Sequence, residues 1–177
     1  MIRPAAYNGI PGLKPSFGTV PRDGVSFVAD SLDTIGWYGR SIEDLALVLG
    51  VYIGKTVPPL ETLLDGKEVR GLRIGICRTP DWNEAGPGIA EALDDAAEGL
   101  RSAGATVEAM ELPAEFDSLG EAQNVIMCRE MTYWIGQEWR EQRDQLSDHI
   151  KQRLSLGEDA SVTEIGDAIG LIMRSRA

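Results

Sequence analysis

The period of the apolar positions changes several times along the chain. Leu72, Ile74 and Ile76 alternate with Arg73, Gly75 and Cys77. A period of two predicts a strand with one apolar face. Over residues 88–103 the period lengthens. Ile89, Leu93, Ala96, Ala97 and Leu100 recur at helical spacing, and Gly104 ends the run. Residues 106–112 read as a second strand. Strand, helix and strand over 71–112 make a βαβ unit, with parallel strands and a right-handed crossover. Further upstream, Ile42, Leu45, Val48 and Leu49 also repeat at helical spacing. Ser41-Ile42-Glu43-Asp44 before them reads as a capping box, in which the serine oxygen takes a free backbone N–H and an acid stands three residues on. That helix is expected to reach about Tyr52 and stop at Gly54. Residues 55–70, with Pro58-Pro59, read as a loop.

From Ser118 onward the pattern is helical throughout. Leu119, Ala122, Ile126, Met131 and Trp134 suggest one apolar stripe. Residues 137–153 mix charges of both signs, which predicts a solvated helix face rather than a binding patch. Ser161-Val162-Thr163-Glu164 is a second capping-box sequence, opening a last helix with Ile165, Ile169 and Ile172 that continues to the end. The fold class is therefore α/β.

Residues 1–40 obey neither period. Prolines at 4, 11, 15 and 21 and glycines at 9, 12, 18, 24, 36 and 39 exclude a long helix. Short strands and tight turns are expected, pinned by the rest of a domain. This stretch also carries ordered blocks. Ile2-Arg3-Pro4-Ala5-Ala6-Tyr7-Asn8-Gly9 precedes Gly12-Leu13-Lys14-Pro15-Ser16-Phe17-Gly18. Ser31-Leu32-Asp33-Thr34-Ile35-Gly36 and Arg40-Ser41-Ile42-Glu43-Asp44-Leu45-Ala46 come next. In this order and at these intervals they resemble the second half of the amidase signature and the stretch after it. Residues 55–177 resemble that family more loosely.

The resemblance implies part of a large mixed sheet between helix layers. Residues 1–54 would be the second half of the signature region with its adjoining helix, 71–112 the βαβ unit, and 118–177 a helical region. It also implies hydrolysis of the carbon–nitrogen bond of a carboxamide by a Ser–Ser–Lys triad. A lysine acts as base, a bridging serine relays the proton, and a second serine attacks, because a serine hydroxyl is a weak nucleophile until a neighbour takes its proton. Backbone N–H groups of a glycine-rich turn hold the oxyanion. In the family pattern the attacking serine immediately precedes Val-Ile-Arg-Pro. Met1 stands at the valine position here, so the resemblance assigns no catalytic residue within 1–177. The expectation is an amidase fragment, inactive alone, whose reading frame starts inside a longer gene. Its incomplete fold is expected to expose sheet edges and apolar faces, and so to self-associate. The alternative is a non-catalytic partner of an intact amidase or amidotransferase subunit. The Ile-Arg-Pro-Ala form looks more like stand-alone amidases than the tRNA-linked amidotransferase subunits.

Arg3 is the candidate substrate-binding residue, three positions past the implied serine. Its guanidinium suits a substrate carboxylate or an acid of the other signature half. A structural ion pair is the competing reading. Lys14 and Ser16 flank Pro15, which favours an extended, structural Lys14 over a dyad. Asn8, Asp33 and Thr34 fall in turns, where such side chains bond the backbone. Gly86-Pro87-Gly88 lacks the third glycine of a phosphate loop.

Composition narrows the partners. The net charge of −11 opposes nucleic-acid binding, which needs Lys and Arg on phosphates. Cys77 and Cys128 have no CxxC or Cys/His spacing, and His149 is the single histidine, so neither a disulfide framework, a metal site nor a cofactor is expected. Reduced, buried thiols and the lack of a signal peptide fit the cytoplasm. No segment approaches the roughly 18 apolar residues of a membrane span. A small carboxamide or an aryl or alkyl amide is the expected substrate of the intact enzyme, and the sequence does not choose between them.

Overall fold

The structure, a computed structural model, describes residues 1–58 and 69–176. In chain order the regular elements are α1 (Ile2–Asn8), β1 (Gly12–Leu13), β2 (Trp37–Tyr38), α2 (Ile42–Ile53), β3 (Arg73–Cys77), α3 (Ile89–Ser102), β4 (Thr106–Met110), α4 (Leu119–Trp134), α5 (Gly136–Glu141), α6 (Asp148–Asp159) and α7 (Val162–Ser175). They divide into two compact units, Met1–Val57 with Ser118–Ala177, and Pro58–Asp117.

The first unit begins with a short helix of 7 residues where short strands and tight turns are expected. Proline is compatible with α1 because Pro4 lies in its first turn, where backbone N–H groups have no partner inside the helix. Behind it, β1 and β2 form an antiparallel ladder pairing Gly12 with Tyr38 and Leu13 with Trp37. At the start of α2, Ser41 Oγ accepts from Asp44 N at 3.2 Å. The reciprocal half of the cap is shifted by one residue, since Asp44 Oδ2 accepts from Arg40 N at 3.1 Å. Gly54 closes α2 in the left-handed region, as the sequence predicts. The loop expected over 55–70 lies largely outside the described residues.

The helical layer holds the core of this unit. Ala122, Ile126 and Ala168 pack with Leu32, Val125, Leu171 and Ile172. Met131, Trp139 and Leu154 form a second cluster with Ile135, Leu146 and Ile150. Between these clusters α4 and α6 approach so closely that a Cβ at Gly157 would overlap the Cys128 carbonyl and sit 2.7 Å from Thr132 Cγ2. The charged run behaves as a solvated face on most of its length, but it conceals Trp139. That ring is buried and its Nε1 donates to Glu158 Oε1 at 2.9 Å. Trp134, at the end of the α4 stripe, is partly exposed and lies 4.8 Å from the Phe27 ring. The second capping box forms in full: Ser161 Oγ accepts from Glu164 N at 3.2 Å, and Glu164 Oε2 accepts from Ser161 N at 2.8 Å.

In the second unit β3 and β4 run parallel, pairing Arg73 with Thr106 through to Cys77 with Met110. β4 ends at Met110, two residues short of the sequence expectation. Ile76 and Ala109 share a cleft with Ala97 of α3, so α3 covers that face of the pair. Among the described residues of this unit only Ala97 and Ala105 are buried.

Candidate functional site

The four signature-like blocks converge in the first unit. α1 packs on β1 so tightly that a Cβ at Gly12 would lie 2.8 Å from the Ala5 Cβ. The turn after Thr34 closes on the same place. A Cβ at Gly36 would overlap the Leu13 carbonyl and come within 2.9 Å of Met1 Cγ. Only glycine leaves room for both approaches. Further along, Trp37 Nε1 donates to the Leu45 carbonyl at 3.1 Å, binding β2 to α2. The start of α1, β1, the Gly36 turn and α2 therefore form one small frame.

Arg3 sits on the first turn of α1 with its side chain in solvent. Among the described residues it has no ion-pair or hydrogen-bond partner, so the structural ion pair that competes with a substrate role is not formed there. The turn residues act on the backbone. Asn8 Nδ2 donates to the Pro4 carbonyl at 2.8 Å. Asp33 Oδ2 accepts from Val28 N and Ala29 N at 2.8 and 3.1 Å. Thr34 Oγ1 reaches the Leu32 carbonyl at 3.5 Å. Lys14 Nζ donates to the Pro15 carbonyl at 2.7 Å and makes no bond to Ser16. His149 Nε2 accepts from Arg153 Nε at 2.8 Å.

Sequence reasoning missed Arg22. Its guanidinium donates to the carbonyls of Asp30 and Asp33 at 2.6 and 3.2 Å and pairs with the Asp30 carboxylate at 2.9 Å. It also lies 4.9 and 4.8 Å from the centroids of Phe17 and Phe27. One side chain thus ties the loop between β1 and β2 across its width, and Ser31 N fastens that loop to α4 through Glu130 Oε2 at 2.9 Å. No periodic signal marks such a residue; a lone cation between two aromatics in an acidic loop is its only trace.

Two acids are shifted. The Glu43 carboxyl is held below the usual glutamate value, first by its own backbone N–H and then by the Ser41 hydroxyl. The Glu164 carboxyl is lowered by the Ser161 hydroxyl and then the Ser161 backbone N–H. Both belong to helix caps, so the cause is structural. Cys77 is half-buried and Cys128 buried, and neither is in a disulfide. Among the described residues no group of three or more His, Cys, Asp or Glu could hold a metal ion, and no helix is long and apolar enough to cross a membrane. Gly88 caps α3 without a third glycine nearby.

Residues 2–160 match the sequence model of the family described as Amidase. The chain belongs to the amidase family. A glutamyl-tRNA(Gln) amidotransferase subunit of Carboxydothermus hydrogenoformans is 38% identical over 121 residues, covering 63% of this chain and 25% of that relative. A crystal structure of an amidase aligns with 98% of this chain and 38% of its own, with a TM-score of 0.81 and 22% identity, which shows the shared fold. The native peptide amidase of Stenotrophomonas maltophilia aligns with 95% of this chain and 41% of its own, with a TM-score of 0.67 and 25% identity. The chain thus spans about a quarter of the length of the curated relatives it matches, and about two-fifths of these solved amidases. Its described residues form two separate two-stranded sheets, one antiparallel and one parallel.

Proposed function

We propose that this chain serves carbon–nitrogen bond hydrolysis of a small carboxamide in the cytoplasm, as part of an amidase whose serine nucleophile directly precedes the valine position that Met1 occupies. The observation that carries this is the family match over residues 2–160, which includes the Ile2-Arg3-Pro4-Ala5 block. In this reading the frame of α1, β1 and the Gly36 turn holds the segment just after the nucleophile. The hydroxyl, the relay serine and the lysine base come from the upstream half of the signature. The 177 residues alone supply neither nucleophile nor base, so they are silent toward amides by themselves.

Arg3 is then the substrate-facing residue. An exposed guanidinium without a partner among the described residues, on the first turn after the reacting serine, presents a planar fork to a carboxylate. The amides favoured are those with an acidic group a short distance from the scissile bond. The test joins the upstream glycine-rich serine segment of an amidase to Ile2 and measures ammonia release. Turnover is expected from the joined polypeptide and none from residues 1–177. Arg3→Ala is expected to raise KM for acid-bearing amides about tenfold, the worth of one charge-assisted hydrogen bond, with kcat little changed. Enzyme-like turnover by the 177-residue chain would overturn the reading.

A second reading has its own support. The curated relatives are named as subunits of an amidotransferase, so a chain of this family can work within an assembly. Here the chain would be a non-catalytic partner of an intact amidase or amidotransferase subunit. Specific association with such an enzyme, without any effect of Arg3→Ala in the joined polypeptide, would favour it.

A further inference from the structure

Where α3 covers the β3–β4 pair, the packing leaves a space. Ile76 and Ala109 stand opposite one another in the ladder, and Ala97 of α3 lines the same place. Parallel strands ordinarily carry Val, Ile or Leu on a covered face. Two methyl groups at this level instead leave a cleft of about 420 Å³ between α3 and the strands. Small-molecule sites run from roughly 300 to 1,000 Å³. The cleft opens at the carboxyl ends of the strands, where open α/β sheets bind their ligands. Arg78 directly follows β3, Glu111 directly follows β4, and both line it.

Charge narrows the ligand. Two cations, Arg78 and Arg101, and two acids, Asp94 and Glu111, surround the apolar floor. Arg78 lies over the Trp82 ring, 5.1 Å from its centroid. Its pair with Asp94 is long at 3.7 Å, which leaves donors of its fork for a closer acceptor. Glu111 has no ion-pair or hydrogen-bond partner among the described residues. Because Cys77 pairs with Met110, Arg78 and Glu111 are the next positions on neighbouring strands, with backbones about 5 Å apart. A simple anion would meet two acids here, and a simple cation two arginines. A zwitterion with an apolar body meets neither conflict. The net charge of −11 also repels free anions but not a zwitterion.

We propose that this cleft binds a small apolar α-amino acid, with its carboxylate on Arg78, its ammonium on Glu111 and its side chain against Ile76, Ala97 and Ala109. The site lies within the second unit and does not depend on the amide hydrolysis proposed above.

The test titrates leucine into the full chain and follows the backbone amides by NMR. Saturable shifts are expected at Ile76, Arg78, Ala97, Ala109 and Glu111. Isocaproate is leucine without the ammonium, and isoamylamine is leucine without the carboxylate. Each should bind at least about tenfold more weakly, since each forfeits a charge-assisted hydrogen bond. Arg78→Gln and Glu111→Gln alter exposed side chains, so the fold should persist, and each should weaken leucine about tenfold. Glu111→Gln should also close the gap between leucine and isocaproate, which a structural role would not do. Ala109→Leu fills the floor and should abolish binding, with circular dichroism confirming that the chain stays folded. The absence of saturable shifts at these residues would overturn the proposal. Isocaproate binding as tightly as leucine would overturn it as well, and so would leucine binding untouched by Ala109→Leu.

Discussion

The helical layer and the βαβ unit bury their residues in different ways. In the helical layer, α4, α6 and α7 seal one another's large side chains, and Leu154 is fully buried among Met131 and Trp139. In the βαβ unit the buried residues are two alanines, Ala97 and Ala105, while Leu72, Ile89 and Met110 are exposed. The difference arises from architecture. Helices packed side by side cover each other's large side chains. A parallel strand pair asks for cover on both faces, and α3 supplies one. On the other face Arg73 and Glu108 pair at 3.3 Å in solvent, which contributes little. The chain thus has one unit that carries its own core of large side chains and one whose strand pair is covered on a single face.

The contrast is most easily broken at the two cores. Leu154→Ala removes a fully buried side chain that its neighbours cannot replace, and is expected to cost about 3 kcal/mol. Ile76→Ala, at a half-buried strand position, should cost about 1 kcal/mol. Urea unfolding combined with hydrogen exchange reads both. Equal losses would mean that the βαβ unit is as well packed as the helices. Gly157→Ala comes next. Its methyl meets the Cys128 carbonyl and the Thr132 methyl, so α4 and α6 must separate. Overpacking of this kind costs about 2 kcal/mol. A neutral outcome would show that the crossing yields easily and that the helical core is looser than its burial suggests.

Much of this division is legible in the sequence, and the misses have physical causes. Alternation at Leu72, Ile74 and Ile76 marks β3 because a strand with one covered face repeats every two residues. Helical spacing marks α2, α3 and the helices after Ser118, and the Ser161 box marks the start of α7 to the residue. The helix at Ile2–Asn8 is hidden because composition counts Pro4 as a breaker without regard to its place in the first turn. Trp139 is hidden because its neighbours in sequence are charged while its partners, Met131 and Leu154, lie on other helices. The signature-like blocks identify the family, since their order and spacing are specific, yet the frame they build depends on contacts that no period encodes. Arg22 shows this best: it bonds residues eight and eleven positions away and touches two rings. The motif alone singles out Arg3, which lies in solvent on α1.

The smallest expected effect compares the two capped acids. Glu164 is held below its ordinary value of 4.5 by the Ser161 hydroxyl and then the Ser161 N–H. Glu43 is lowered by its own N–H and then by the Ser41 hydroxyl, while the neighbouring Asp44 pushes the other way. A carboxyl whose folded value lies below its unfolded one stabilises the fold above the unfolded value. That contribution fades as pH falls toward the folded one. Helicity should therefore decline below about pH 4.5 as both caps protonate, and Glu164→Gln should remove the α7 share of that decline. Carboxyl carbon shifts tracked by NMR from pH 6 to pH 2 would give each midpoint. Both should fall below 4.5 in the folded chain. A Glu164 midpoint at or above that value would mean that the reciprocal bonds to Ser161 do not hold α7 in solution, and the best-defined boundary of the helical layer would lose its physical account.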